Sequence, residues 1–325
     1  MQLFIKALSQ KESVEVSVIS LHYPYKAKNY NWHEVNVSAL GGNNERGLKR
    51  ILLVKKAMKE AKKIHKQKAV NHIHSFWLGE CAWLGNKIAK SLGIPHSCTL
   101  MGQDALPANT FWKKIKPLPQ LISLSAFQEA AIIEHQPKTK THRIYWGVEL
   151  ELEPFREKSI DIVGSGWINE IKHFERFVKI IEKLSTKVNS LKCELVGEGD
   201  QLDKLRELII EKNLEHVIKL SGGVNREMSL EKIRRAKVLL HTSAYESFGL
   251  VFVEAMALGT KVFTTAVGLA PEVAEISCFS SDKEAVRMIS RYLAKNESPL
   301  PLLSYPLENT VNAYLNSVFL TNKID

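Results

Sequence analysis

A chain of 325 residues with 45% apolar and 25% charged side chains has the composition of an ordinary globular protein, and the length for two domains with cores of their own. Its cysteines, Cys81, Cys98, Cys193 and Cys278, are scattered without paired spacing, which speaks against a disulfide framework or a zinc site; no stretch has the make-up of a signal peptide or nears the ~18 apolar residues of a membrane span, so a cytoplasmic location is expected. The formal charge of +10 belongs to the first half, where residues 1–150 carry 22 Lys/Arg against 10 Asp/Glu while the remainder carries 23 against 25; the excess is densest in "RGLKRILLVKKAMKEAKKIHKQK", Arg46 to Lys68.

The chain opens on a helix, "LFIKALSQ", and strand-like and helix-like patterns then alternate. "VEVSVISL" (Val14–Leu21) reads as a strand. The basic stretch 46–66 reads as a helix with an apolar stripe of Leu48, Leu52, Ala57, Ala61 and Ile64, ringed by Lys55, Lys56, Lys59, Lys62, Lys63 and Lys66. "AVNHIHSF" is a second strand, followed by the helix "GECAWLGNKIAKSLG", which closes on Gly93 with Pro95 just beyond. "HSCTLMG" and "LISLS" continue the series, then the helix "SAFQEAAIIEH" and the short strand "HRIYWGV". The acidic, irregular "ELELEPFREKS" (Glu149–Ser159) is the linker candidate.

After it the pattern restarts. "IDIVGSG" is a strand, and "NEIKHFERFVKIIEKLST" a helix with apolar residues at Phe174, Phe177, Val178 and Ile181. "LKCELVGEG" precedes the helix "DQLDKLRELIIEK", for which Asp200 is the expected N-cap. "HVIKLSGGV", the helix "REMSLEKIRRA", the buried strand "KVLLHTS", the stretch "SAYESFGLVFVEAMALG" and "KVFTTAVG" follow, and "DKEAVRMISRYLAK" and "LENTVNAYLNSVF" are helical. Such alternation predicts an α/β chain of two doubly wound, Rossmann-like domains facing a cleft, with ligands where strand C-termini meet it. The domains are expected at 1–150 and 151–305, with a C-terminal segment at 306–325.

In the second half each strand runs into glycine: Gly164 and Gly166 with Lys172 beyond, Gly197 and Gly199, Gly222 and Gly223, Gly249 at a helix start, and Gly268. Glycine lets backbone amides approach a ligand, and a helix N-terminus attracts phosphate, so these loops suggest a nucleotide diphosphate; they can equally be turns and nothing more. Glu246 precedes the turn at Phe248-Gly249 and Glu254 lies about one turn inside the following helix. Carboxylates do not bind phosphate but accept from vicinal hydroxyls. One acid can take a ribose diol and the other a hexose, with the amides of Gly249, Leu250 and Val251 on the diphosphate between them. The alternative is that both acids are salt-bridged structural groups.

The stretch "YESFGLVFVEAMALGTKVFTTAVGLAPE" closely resembles the signature of the retaining GT-B glycosyltransferases of family four, the glycosyl transferases group one. That family has two glutamates eight positions apart in E-x-F-G-L-x-x-x-E. The resemblance implies that Glu246 contacts the donor sugar and Glu254 the nucleotide ribose. "LVGEGDQLDKL" is similar to the family's V-G-x-G segment, which adds Gly199; "IKLSGGVNREMSLEKIRRAKVLLHTS" is similar to the element near the base, which adds Gly223 and Val224; "HRIYWGVEL" resembles its domain junction, and "NHIHSFW" through "LMGQDAL" its first-domain core. Aligning Lys172 with the diphosphate lysine of G-R-x-x-x-x-K sets Gly166 on the glycine and Trp167 where the family has arginine; Met101 stands where the family often has histidine; and the family's first strand and glycine-rich loop have no counterpart in the opening residues.

The activity implied is a retaining transfer of a hexose from a UDP- or GDP-sugar to a glycan or glycolipid hydroxyl, as in envelope polysaccharide or lipopolysaccharide synthesis. Lys172 and Glu246 would be its catalytic groups, and Phe248 through Val251 with Glu254 its donor-binding ones. The second domain would hold the donor and the first the acceptor, with the C-terminal helix crossing back to the first domain. No Asp-x-Asp metal motif is present, so no metal and no cofactor are expected. Against this stand a solvated Lys172 and a non-catalytic nucleotide-sugar binder or assembly partner. His72 and His74, read as pointing to opposite faces of their strand, and Asp104 are acceptor-side or sugar-side candidates; Asp104 reads equally as a loop or capping aspartate, and Ser125 as a ligand contact or a cap. Trp77, Trp83, Trp112 and Trp146 read as core. The basic stretch 46–68 is either a solvated helix face or a peripheral contact with an anionic membrane. Nucleic acid is not an expected partner, because the lysines lack interleaved aromatics.

Overall fold

The computed structural model describes residues 1–150, 157–295 and 299–319. In chain order the first stretch holds α1 (Gln2–Ser9), β1 (Ser17–Ser20), β2 (Lys28–Trp32), β3 (Val35–Ala39), α2 (Leu48–Gln67), β4 (Ile73–Phe76), α3 (Glu80–Leu92), β5 (His96–Thr99), α4 (Phe111–Lys114), β6 (Gln120–Ser123), α5 (Ala126–His135) and β7 (Thr141–Arg143). Next come β8 (Ile160–Ser165), α6 (Phe174–Ser185), β9 (Cys193–Val196), α7 (Leu202–Glu211), β10 (Ile218–Leu220), α8 (Arg226–Arg234), β11 (Ala236–His241), α9 (Leu250–Ala257), β12 (Lys261–Thr264), β13 (Ser277–Cys278) and α10 (Asp282–Lys295). The last is α11 (Leu307–Tyr314), which runs into a π turn over Leu315–Phe319. The linker candidate Glu149–Ser159 falls largely outside the described residues.

The chain divides into two compact units. Unit 1 holds Met1–Leu124, Glu129–Tyr145 and the chain from Leu307 on; unit 2 holds Ser125–Gln128 and Trp146–Pro306.

Unit 2 is a doubly wound sheet of strands in the order β10-β9-β8-β11-β12-β13, every neighbouring pair parallel. Counted from β8 this is the order 3-2-1-4-5-6 of dinucleotide-binding folds, which reverses direction between β8 and β11. Parallel strands covered by helices on both faces must be apolar throughout, and Leu239, Leu240, Val238, Ile162 and Val163 are all fully buried. Helix α6 presents Phe174, Phe177, Val178, Ile181 and Leu184 at helical spacing, and all are buried in one cluster with Leu195, Leu205 and Ile289. Helix α7 starts on Gln201 with no side-chain cap, so Asp200 does not hold the position expected of it, whereas Asn225 caps α8 by accepting from the Met228 amide at 2.8 Å. Lys158 joins two helix ends from below: its Nζ donates to the Arg234 carbonyl at the end of α8 (2.8 Å), to the Leu258 carbonyl after α9 (3.4 Å) and to Thr260 Oγ1 (3.2 Å). That satisfies carbonyls a helix C-terminus leaves open.

Unit 1 has its strands in two sheets. β4-β5-β6-β7 is parallel throughout, and β1-β3-β2 pairs β1 parallel and β2 antiparallel to β3. The two share a core, since Leu21 beyond β1 packs in one cluster with Leu53, Ala57, Ala61, Leu84 and Ile88 of α2 and α3, with Ile73 of β4 against it. Helix α2 is rolled relative to the sequence reading. Its buried stripe is Leu53, Ala57 and Ala61, spaced by four, while Leu48 and Leu52 are 79% and 55% exposed. Leu53 rather than Leu52 continues the row through Ala57 and Ala61, and that one-position change turns the apolar N-terminal turn outward. Gly93 ends α3 in the left-handed conformation at φ 68°, as its place before Pro95 suggests.

Candidate active site in unit 2

The site lies where the sheet order reverses. Strand β8 runs into Ser165-Gly166-Trp167 and a turn of 3₁₀ helix at Glu170–Lys172, capped by Asn169, whose side chain accepts from the Lys172 amide at 3.2 Å. Strand β11 runs into Thr242, Ser243 and Ala244, and these stitch themselves to that turn. Thr242 Oγ1 donates to the carbonyls of Lys172 and His173 (3.1 and 3.0 Å), Ser243 Oγ to that of Ile171 (3.1 Å), and the Ala244 amide to the same Ile171 carbonyl (2.8 Å). Two segments far apart in the sequence are thereby held in register. The result is that Lys172 Nζ and His241 Nε2 both bond one oxygen, Oε1 of Glu246, the histidine at 2.7 Å. Among the described residues no hydrogen bond is made to Glu246 Oε2.

Helix α9 follows from Gly249, which is left-handed at φ 83°; a Cβ there would sit 2.2 Å from the Phe252 ring, so only glycine makes this entry. Glu254, in the second turn, is 7% exposed and takes the guanidinium of Arg226 from the start of α8. The two acids are driven in opposite directions. Burial pushes the Glu246 carboxyl up, but the hydrogen bonds and charge of His241 and Lys172 together outweigh it and hold it at about 2. Glu254 has one cation, itself 43% exposed, and there burial wins and raises the carboxyl above its ordinary range.

The glycine loops after β8, β9 and β10 meet in a pocket of about 220 Å³ lined by Ser165, Gly166, Trp167, Val196, Gly197, Glu198, Gly223, Val224 and Ser229. Three predicted donor-binding positions, Gly166, Gly223 and Val224, are brought together there; Gly199, Phe248, Gly249, Leu250, Val251 and Glu254 do not line it. Gly197 at φ 153° lies so close to the β8 loop that a Cβ would be 1.9 Å from the Gly166 carbonyl. A Cβ on Gly166 would lie 3.8 Å from Lys172 Cε, so that glycine stands between the pocket and the lysine. Trp167 is 55% exposed on the rim.

In unit 1 the picture differs from the sequence reading. His72 and His74 do not face apart: positions two apart in a strand share a side, and both rings bond Ser97 Oγ at 2.7 Å. His74 continues through Thr99 Oγ1 (3.1 Å) to the hydroxyl of Tyr314 on α11 (2.6 Å). Burial lowers His72 to about 4 and His74 to about 3, so both rings are neutral. Asp104 is occupied by backbone, its carboxylate accepting from the amides of Leu78 (2.8 Å), Gly102 (2.7 Å) and Met101 (3.3 Å), which ties the loop after β5 to the loop after β4. Of the tryptophans read as core, Trp112 and Trp146 are 6% exposed, but Trp77 is 44% exposed at φ 71°. In unit 2, Ser125 Oγ donates to the Ser247 carbonyl at 2.6 Å and accepts from the Gln128 amide at 3.1 Å.

Comparison with known proteins covers this architecture. The family described as glycosyl transferases group 1 matches residues 151–295. The matched residues take in the sheet of unit 2 and both glutamates of its site. An uncharacterized glycosyltransferase of Methanocaldococcus jannaschii is 26% identical over 216 residues, which is 61% of this chain and 52% of the relative. The match thus spans about half the length of that protein. Among solved structures, a glycosyltransferase from Rickettsia africae superposes with a TM-score of 0.73 at 16% identity over 96% of this chain and 91% of its own. HepE of Anabaena, solved with UDP-glucose, gives 0.66 at 18% identity over 86% and 82%. These neighbours are GT-B glycosyltransferases, and the α/β fold with parallel, Rossmann-like sheets is theirs.

Within the matched residues, two polar partners escaped the sequence reading. His241 follows the buried apolar run Val238, Leu239 and Leu240, so "KVLLHTS" reads as core. Arg226 was read only as the first residue of a helix; a cation at the head of α8 gains nothing from the helix dipole, which was the available sign that its charge is used elsewhere.

Proposed function

We propose that the protein is a retaining, metal-independent glycosyltransferase of family four, moving a hexose from a UDP- or GDP-sugar to a hydroxyl of a glycan or lipid-linked acceptor in envelope polysaccharide or lipopolysaccharide synthesis. Unit 2 binds the donor and unit 1 the acceptor. The observation that carries this reading is the meeting of Lys172 and Glu246 at the sheet's reversal point, where α/β folds bind ligands. Glu246 holds the hexose, Glu254 the ribose, and the amides opening α9 face the diphosphate. The ammonium of Lys172 stabilises charge developing on the β-phosphate, which itself takes the proton of the incoming hydroxyl on the face it leaves. HepE bound to UDP-glucose supports a nucleotide-sugar donor for this chain.

The test is donor hydrolysis. Wild-type protein should release UDP or GDP from its sugar donor with EDTA present, and Glu246→Ala should lower that rate by about 3–4 kcal/mol of barrier, some hundredfold or more. Trp167, in place of a diphosphate arginine, favours a second reading, a nucleotide-sugar binder without catalysis; tight binding with no turnover in the presence of membrane extract would establish it.

Peripheral membrane contact through 46–68 belongs to the same proposal. No helix among the described residues is long and apolar enough to cross a bilayer. The exposed Leu48, Ile51 and Leu52 stand at the head of the lysine-rich α2, as in helices that lie on anionic lipid. Co-sedimentation with phosphatidylserine vesicles should fall with salt; binding indifferent to lipid charge would remove the claim.

A further inference from the structure

His241 is 2% exposed at the end of β11, directly after the buried apolar run Val238, Leu239 and Leu240, with its ring edge-on to Phe252 at 5.0 Å. Packing alone would favour leucine there, because an imidazole buried at such a place loses its hydration. Its Nε2 is spent on Glu246 Oε1, the oxygen that Lys172 also holds, while Oε2 receives nothing among the described residues. One carboxylate oxygen is therefore anchored twice and the other is left to a ligand. Lys172 cannot be relied on for the anchoring, since a diphosphate competes for its ammonium as soon as a donor enters. The imidazole has no such competitor.

We infer that His241 is a positioning residue that keeps Glu246 Oε1 fixed through an N–H donor, so that Oε2 stays aimed at a donor-sugar hydroxyl while Lys172 turns to the diphosphate. This rests on the reading of Glu246 as the acid that holds the sugar. It assigns His241 a role as a donor of a hydrogen bond and not as a carrier of the reaction's proton. The histidine then governs the sugar half of the donor and is indifferent to the nucleotide half.

The test compares UDP with UDP-glucose, and GDP with GDP-mannose, by titration calorimetry and by hydrolysis. In His241→Leu the affinity for UDP should stay within about twofold of wild type, while the gain in affinity from the attached sugar and the turnover should each fall about 10- to 100-fold, the worth of one hydrogen bond to a charged group. His241→Gln, whose amide reaches the same place, should recover most of that loss with the pH profile of wild type; His241→Asn, a methylene shorter, should not. The Gln/Asn contrast serves in place of His241→Leu if that variant does not fold. A purely structural histidine would weaken UDP and UDP-sugar alike and would not separate Gln from Asn. Wild-type turnover in His241→Leu, or equal impairment in Gln and Asn, overturns the inference. If Glu246→Gln also turns over normally, or if wild type binds no sugar nucleotide, the reading of the site fails and takes the inference with it.

Discussion

At the scale of the residue, the two glutamates show how one short motif holds acids of different character. Glu246 answers to two donors and stays ionised far below neutrality, whereas Glu254 answers to one half-exposed guanidinium and is raised by burial. Arg226→Ala should therefore push Glu254 up further, because it removes the group that opposes desolvation. If Glu254 receives the ribose as an anion, UDP affinity should decline as the pH falls, and in that variant the decline should set in at higher pH than in wild type. Calorimetric titrations across a pH series check this, and coincident profiles would speak against Glu254 as a ribose ligand. The two acids themselves were legible in the sequence because they bracket a helix-opening turn. Their partners were not, since nothing in a linear pattern says that Lys172, His241 and Arg226 converge on them.

At the scale of the element, what the sequence revealed was periodicity, and what it hid was order. The strands and helices of unit 2 follow its apolar spacing closely. The 3-2-1-4-5-6 arrangement that brings the β8 and β11 loops together is a property of pairing, which spacing does not encode. The hairpin β2–β3 was missed for a local reason. Its two-residue turn is His33-Glu34, with φ of 47° and 65°, where a turn of this shape usually announces itself with Asn-Gly or Asp-Gly. The roll of α2 was missed because Leu48, Ile51, Leu52 and Leu53 offer two stripes, and only packing against α3 selects one. Gly249 is the opposite case, a residue whose need is visible in both descriptions. Gly249→Ala should destabilise unit 2 by roughly 1–3 kcal/mol from backbone strain alone, with the Phe252 ring displaced in addition. Urea unfolding measures it, and an unchanged midpoint would mean that the turn can relax.

At the scale of the whole molecule, the two units should respond differently to acid. In unit 1 burial lowers His72 and His96 to about 4 and His74 to about 3 from an ordinary 6.5. A base whose folded value is depressed opposes protonation of the folded state, so its contribution is intact above 6.5 and is lost as the pH falls toward those lower values. For His74 the loss is roughly 2–3 kcal/mol by about pH 4.5. In unit 2 the window is later: Glu246, held at about 2 against an ordinary 4.5, contributes above 4.5 and gives that up only as the pH falls below it. Amide exchange at about pH 5 should therefore accelerate in β4 and β5 before it does in β8 and β11. Exchange that rises in both units together would mean that the buried histidines do not set the acid limit.

The amine beneath helices α8 and α9 offers a use of its own. Burial lowers Lys158 to about 8, so a sizeable share of it is uncharged, and a nucleophile, in mildly alkaline buffer. Its three acceptors hold the amine in place between the two helix ends. Acylation of that amine would take away its contacts with the two carbonyls, and so would loosen the two helix ends that it ties together.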